Sequence, residues 1–287
     1  MPISSADDPR LADFRDLTRA DRRPDRPGGR GLVIAEGVVV VRRLLASPYP
    51  VRALLGVARR IDELADDLRD CPAPAYVVDP ELMASVVGFH LNRGVLATAD
   101  RAAMPDPATL AATTRTLAVL EGVGDHENLG AVFRSAAALG IGGVLVAPGC
   151  ADPLYRRSVR VSMGTVLQIP FAILPGSSDS WVDGAVDMLH ANGFELVALT
   201  PSPAAAPLAA VELAGRRAAV LLGSEGPGLT ASALSAADLL VRIPMARGVD
   251  SLNVATAGAI AFAALDATAG FPDRATGPAC GTAERNS

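Results

Sequence analysis

The chain has 287 residues, 50% hydrophobic and 20% charged, which specifies a globular protein with core enough for two domains or one large one. Its net charge of −5 argues against a protein that coats nucleic acid through overall charge, although a local basic face stays open. Three scattered cysteines (Cys71, Cys150, Cys280) and three scattered histidines (His90, His126, His190) give neither a disulfide framework nor a metal-ligand spacing. No apolar run reaches the ~18 residues of a membrane span, and the N-terminus has no apolar leader, so a soluble protein of a reducing cytoplasm is expected. All 26 basic residues are Arg; beside so much Ala, Gly and Pro, this reads as GC-rich coding rather than selection for guanidinium chemistry.

Residues 1–30 alternate Asp and Arg with Pro and Gly and hold almost no large apolar groups, which predicts a disordered or loosely attached tail. Ordered structure is expected from residue 31, with a helix over 38–46 that carries Arg42 and Arg43. A strand over 51–57, a helix over 61–69, a strand over 75–78, a helix over 81–87 and a strand over 94–98 complete a small α/β unit spanning 31–100. The segment 100–109 has two prolines and no periodicity, so a linker over 101–113 is expected. Beyond it strands and helices alternate: strand 116–120, helix 128–139, strand 143–146, helix 153–163, strand 169–174, helix 181–191 and strand 195–199. Two further strands and a last helix come from 218–265, and a disordered tail is expected over 269–287. Such alternation means an α/β fold, a mostly parallel sheet covered on both faces.

Chemistry-bearing residues collect in the second half. In the helix over 128–139, Arg134 is the only charged residue. It can sit at a rim with its stem over apolar surface, or be aimed at an anionic substrate from the ligand edge of the sheet. Asn128 suits the N-cap of that helix. The loop Gly223-Ser-Glu225-Gly226-Pro-Gly228 follows an apolar strand and is neither a P-loop nor a dinucleotide fingerprint. Its glycines can serve a tight turn alone, but Glu225 at a strand's C-terminal edge can accept from a neighbouring loop or a substrate hydroxyl. Asp250 and Ser251 each fit the cap of the last helix, which leaves Asn253, a poor helix former, unexplained one turn in. That helix is otherwise apolar all round and therefore buried, in part by another subunit.

Taken in order and spacing, Asn128-Leu-Gly-x3-Arg134, Gly223-Ser-Glu225-Gly-Pro-Gly-Leu and Ile243-Pro-Met-x5-Ser251-Leu-Asn253 resemble the three motifs of the SpoU/TrmH class of SPOUT RNA methyltransferases. The resemblance covers residues 116–267. Residues 31–100 are similar, with weaker matching, to that class's small L30e-like substrate-binding domain. Asp125-His126 stands where the family often has Asp-Pro.

The resemblance implies methyl transfer from S-adenosylmethionine to a ribose 2′-hydroxyl in RNA, without a metal. It implies a methyltransferase domain over 114–268 with a C-terminal trefoil knot, and a homodimer. Thr200, Gly223, Glu225, Gly226, Ile243, Met245 and Leu252 would hold the cofactor, with Ile243 and Leu252 as apolar walls. Arg134 matches the catalytic arginine; as a permanent donor, a guanidinium suits phosphate holding and alkoxide stabilisation better than proton abstraction. Asn128, Glu225, Ser251 and Asn253 would position it and the pocket loops. Arg42, Arg43, Arg52, Arg59, Arg60, Arg156, Arg157 and Arg160 are the candidate phosphate contacts. By analogy with members that carry the front domain, rRNA is favoured over tRNA as substrate. Two other readings stand beside this one. In the first, the same fold grips RNA or cofactor without transferring a methyl group. In the second, the chain is a nucleotide-dependent α/β enzyme, although Asp125 and Glu127 would repel phosphate at its first strand–helix junction.

Overall fold

The computed structural model describes residues 1–15, 17, 21–26, 29–89, 91–178 and 180–265; the tail expected over 269–287 and the last residues of the expected methyltransferase domain lie outside them. The chain forms two compact units. One holds Met1–Ala103 together with Leu154–Gln168, and the other holds Met104–Pro153 together with the segment that starts at Ile169.

In the first unit, strands β1 (Val33–Glu36), β2 (Val51–Gly56), β3 (Ala75–Val77) and β4 (Val95–Ala99) form a sheet of order β1-β4-β2-β3. Strand β4 runs antiparallel to both neighbours, and β2 and β3 are parallel. Helices α1 (Val38–Leu45), α2 (Ala58–Asp62) and α3 (Pro80–Val87) connect them. The helix expected over 61–69 thus lies earlier, directly behind Val57, and gives way to turns after Asp62.

The expected N-terminal tail is ordered over its described residues. Asp8 caps a 3-10 helix over Pro9–Phe14, and Ile3, Leu11, Phe14 and Leu17 are buried in the core of the small sheet. Phe14 meets Tyr76 edge-on with ring centroids 6.5 Å apart. Pro2 bridges Val77 in parallel, and the amino group of Met1 donates to the Ala75 carbonyl at 2.8 Å. Averaged composition hid this. Four apolar side chains spaced through a polar segment suffice to cover one sheet face, each contributing ~1.5–3 kcal/mol on burial.

In the second unit, β5 (Thr116–Leu120), β6 (Gly143–Val146), β7 (Phe171–Ile173), β8 (Glu195–Leu199), β9 (Ala206–Pro207), β10 (Ala218–Leu222) and β11 (Leu239–Arg242) form one sheet. Its order is β7-β6-β5-β10-β8-β11-β9, and every neighbouring pair is parallel. The expected α/β sheet is therefore present. Its helices are α4 (Pro107–Thr113), α5 (His126–Ala138), α7 (Trp181–Ala191), α8 (Ala231–Ala236) and α9 (Val254–Ala264). Helix α6 (Arg156–Val161) belongs to the first unit instead.

The expected linker thus holds a helix, α4, capped by Asp106, whose side chain accepts from Ala108 and Thr109 nitrogens. Its start was legible as Asp-Pro, an N-cap followed by Pro at the first helical position. The period-2 pattern divides the strands between two faces. Leu117, Val119, Ala219 and Leu221 pack with Trp181, Val182, Ala185 and Leu189 of α7. The close approach of α9 to β10 depends on Gly258, where a Cβ would stand 2.9 Å from Leu222 Cδ1.

Candidate active site

Because β5, β8, β10 and β11 are parallel, their C-terminal ends and the loops that follow share one edge, where open α/β sheets place ligands. A cleft of about 440 Å³ lies there, between the ends of β8 and β10, the loop after β11 and the start of α9. Leu199, Leu222, Ile243, Met245, Leu252, Val254 and Ala257 supply apolar wall, and Thr200, Ser224, Glu225, Ser251 and Asn253 supply polar groups.

The loop after β10 turns back on itself at once. Ser224 and Gly228 form an antiparallel bridge, and Gly226 and Gly228 take φ of 85° and 73°, a left-handed backbone that glycine adopts without strain. Gly223 has a different reason to be glycine. A Cβ there would overlap the Gly228 carbonyl carbon and the Leu229 nitrogen. The two arms of the loop therefore touch backbone to backbone, and Glu225 is carried at its exposed tip.

Helix α9 begins differently from expectation. Asn253 is itself the N-cap, its Oδ1 accepting from Ala255 N at 2.9 Å and Thr256 N at 3.4 Å. Asp250 and Ser251 lie before the cap, and Ser251 lines the cleft. The Asn253 Nδ2 donates to Asn128 Oδ1 at 2.7 Å and to Glu225 Oε1 at 2.9 Å. One amide thus starts a helix with its oxygen and with its nitrogen ties the first turn of α5 to the loop after β10.

Asn128 is free for this because it is not a cap. Asp125 caps α5, accepting from the Glu127 and Asn128 nitrogens at 2.9 Å each. The helix begins two residues earlier than the sequence pattern suggested, since Asp125 competes for the same N-cap role and lies directly after the loop.

All seven residues expected around a cofactor (Thr200, Gly223, Glu225, Gly226, Ile243, Met245, Leu252) line this single cleft. Arg134 lies outside it, exposed on α5, with no ion pair among the described residues. Cys150, whose Sγ donates to the Leu120 carbonyl at 3.3 Å, has its thiol pushed up to about 11 by burial and stays protonated near neutral pH.

The candidate phosphate contacts of the first unit are mostly engaged. Arg42 pairs with Asp67 at 2.8 Å, and Arg52 with Asp13 at 2.6 Å and Asp100 at 3.1 Å. Arg60 pairs with Glu63 at 2.7 Å, Arg59 approaches the same carboxylate at 3.8 Å, and Arg43 donates to the Met163 carbonyl. The Arg156 guanidinium sits 5.0 Å from the Phe89 ring centroid, and Arg157 and Arg160 are exposed on α6.

Two groups at this edge escaped the sequence reading. Ser224, Leu199 and Leu222 join the lining although they sit inside the motif or at strand ends. Glu121, at the end of β5, is buried and accepts from Trp181 Nε1 at 2.9 Å and from Thr230 N at 2.8 Å. A carboxylate closing a five-residue apolar strand was the signal that could have found it.

A parallel sheet with an apolar-walled cleft at its carboxyl edge, braced by an Asn–Asn–Glu network from two helix starts and one loop, defines an α/β protein built around a small-molecule site. Residues 115–263 match the SpoU rRNA Methylase family, and the chain belongs to that family. It is 54% identical over 91% of its length, and 89% of the relative's, to an uncharacterized tRNA/rRNA methyltransferase of Mycobacterium tuberculosis. It is 27% identical to the 23S rRNA (guanosine(2553)-2′-O)-methyltransferase of Bacillus subtilis, over 90% of this chain and 96% of that one. The fold is similar to that of an AdoMet-bound rRNA methyltransferase from Sinorhizobium meliloti, with a TM-score of 0.77, 22% identity and coverage of 95% and 99% of the two chains.

Proposed function

We propose that this protein uses S-adenosylmethionine to methylate a ribose 2′-hydroxyl in structured RNA, rRNA before tRNA. The observation that carries the proposal is the convergence of the second and third motifs on one cleft, with the Asn253 amide tying Glu225 of the second to Asn128 of the first. Family membership and the full-length likeness to a 23S rRNA 2′-O-methyltransferase support it.

The cleft fits the cofactor on its own terms. Its volume of about 440 Å³ lies within the usual range for a small-molecule site, and Ile243, Leu252, Leu199 and Leu222 give a flat purine apolar walls. The side-chain-free backbone at Gly223 and Gly226 allows close approach, and Thr200 and Met245 complete the rim. When bound, S-adenosylmethionine supplies a methyl group already activated on a sulfonium, so no metal is required. Glu225 and Asn128, fixed by Asn253, hold the loop after β10 and the start of α5 in register. Ser251 bounds the mouth of the cleft.

Arg134, exposed and paired with no carboxylate among the described residues, is available to a backbone phosphate. Its guanidinium donates to that phosphate and to the 2′-oxygen as charge develops there, and the proton leaves to a phosphate oxygen or water. Arg160, exposed on α6, is the phosphate contact we favour, because Arg42, Arg52 and Arg60 would first have to leave carboxylates. The reading includes a cytoplasmic homodimer, an L30e-like front unit and a trefoil knot. Among the described residues, no helix is long and apolar enough to cross a membrane.

Calorimetry with S-adenosylmethionine, ATP and NAD, followed by 2′-O-methyl mapping of RNA from a deletion strain, tests this. The expected result is binding of the first ligand alone and loss of one rRNA methyl mark. Cofactor binding with every mark retained would leave a binding protein, and binding of ATP or NAD instead would overturn the reading.

A further inference from the structure

Among the described residues Glu121 and Asp21 are the buried charged side chains; Glu121 is only 5% exposed, and the reaction outlined above does not use it. Its carboxylate meets three donors: Oε1 accepts from Trp181 Nε1 and from Thr230 Oγ1, each at 2.9 Å, and Oε2 accepts from Thr230 N at 2.8 Å. Its backbone nitrogen donates to the Leu222 carbonyl at 2.9 Å. Leu222 is the last residue before the loop that carries Glu225, and Thr230 is the first residue after Leu229, where that loop ends. A single residue directly after β5 therefore grips both roots of the loop.

We propose that Glu121 is the positioning residue of the cofactor loop, setting the height at which Gly223 and Glu225 face the cleft. The proposal rests on S-adenosylmethionine occupying that cleft. The β5–β10 ladder ends at Leu222 and Leu229 packs in the core, while the loop's own bridge, Ser224 to Gly228, joins the arms only to each other, so Glu121 is the side chain that links the two roots. An acceptor-only group suits three donors, and a glutamine does not. Wherever its NH2 points, it faces Thr230 N, or Thr230 Oγ1 with Trp181 Nε1. The Thr230 hydroxyl also caps α8, accepting from Ala233 N at 3.3 Å, so its orientation is fixed from both sides. Trp181 belongs to α7, away from the loop, and its bond to the same oxygen serves the core.

This difference in placement gives the test. Wild type, Glu121→Gln, Thr230→Val, Thr230→Ser and Trp181→Phe are titrated with S-adenosylmethionine by calorimetry, with thermal melting in parallel. A loss of one charge-assisted hydrogen bond at the loop root should weaken binding about tenfold in Glu121→Gln and Thr230→Val. Thr230→Ser, which keeps the hydroxyl, should stay within about threefold of wild type, as should Trp181→Phe despite a lower Tm. If Glu121→Gln does not fold, the Val/Ser pair at 230 decides alone. Equal affinity in Thr230→Val and Thr230→Ser, or an affinity loss in Trp181→Phe that matches Thr230→Val, would overturn the positioning role. Failure of the wild-type protein to bind would instead overturn the functional reading beneath it.

Discussion

Replacing Asn253 by Asp separates the two jobs that its amide performs. The oxygen caps α9 through Ala255 N and Thr256 N, and Asp caps a helix as well as Asn does. The nitrogen is lost, and with it the bonds to Asn128 at 2.7 Å and Glu225 at 2.9 Å. In its place a second carboxylate faces Glu225, a repulsion of about 1.4 kcal/mol at the dielectric constant of water and more where the cleft excludes solvent. Asn253→Ala instead loses both jobs, and the missing cap alone costs about 1 kcal/mol, or roughly 2–4 °C in Tm for a unit of this size. The expected pattern is a Tm close to wild type for Asp and a lowered Tm for Ala. Methyl transfer from radiolabelled S-adenosylmethionine to rRNA should fall about 10- to 100-fold in both. Asn253→Asp with turnover within about threefold of wild type would refute the view that this amide braces the site.

Arg134→Lys should lose most of the methyl transfer yet keep cofactor affinity within a few-fold, because an ammonium cannot reproduce the planar two-pronged donor; near-normal turnover would remove Arg134 from its assigned role. Gly223→Ala should abolish cofactor binding while leaving the fold's circular dichroism intact, since the new methyl group must push apart Gly228 and Leu229. Arg160→Ala should lower the slope of log affinity against log salt by roughly one phosphate's worth in RNA filter binding, and Arg42→Ala, already paired with Asp67, should leave it unchanged. Cys150 should resist iodoacetamide at pH 7.5 in the folded protein and label on unfolding, as mass spectrometry would show, because burial holds its thiol up at about 11.

Much of the catalytic unit was readable along the chain. Strands 116–120, 143–146 and 195–199 were placed to the residue, because apolar runs of that length, bounded by Gly and polar loops, leave little choice of element. The residues of the cleft were readable only through the resemblance of the three motifs to a known family, since each loop taken alone fits a tight turn or a helix cap equally well. The N-terminal segment was not. Its Ile3, Leu11, Phe14 and Leu17 look isolated in a polar stretch until the small sheet offers them one face. Nor was the membership of Leu154–Gln168 in the first unit, since nothing in that segment's pattern says which sheet it will meet.

Sequence alone determined the α/β alternation, the Gly-rich loop and the order of the polar residues around it. These follow from local sterics and from the burial period, which act over a few neighbouring residues. Only the tertiary structure decided which asparagine caps a helix and which braces the site, that Glu121 holds both roots of a loop about a hundred positions away, and that Arg42 and Arg52 are already matched with acids. Each of those outcomes depends on which strand lies beside which. Parallel pairing of β5 with β10, and of β10 with β8, brings together groups that no local preference relates.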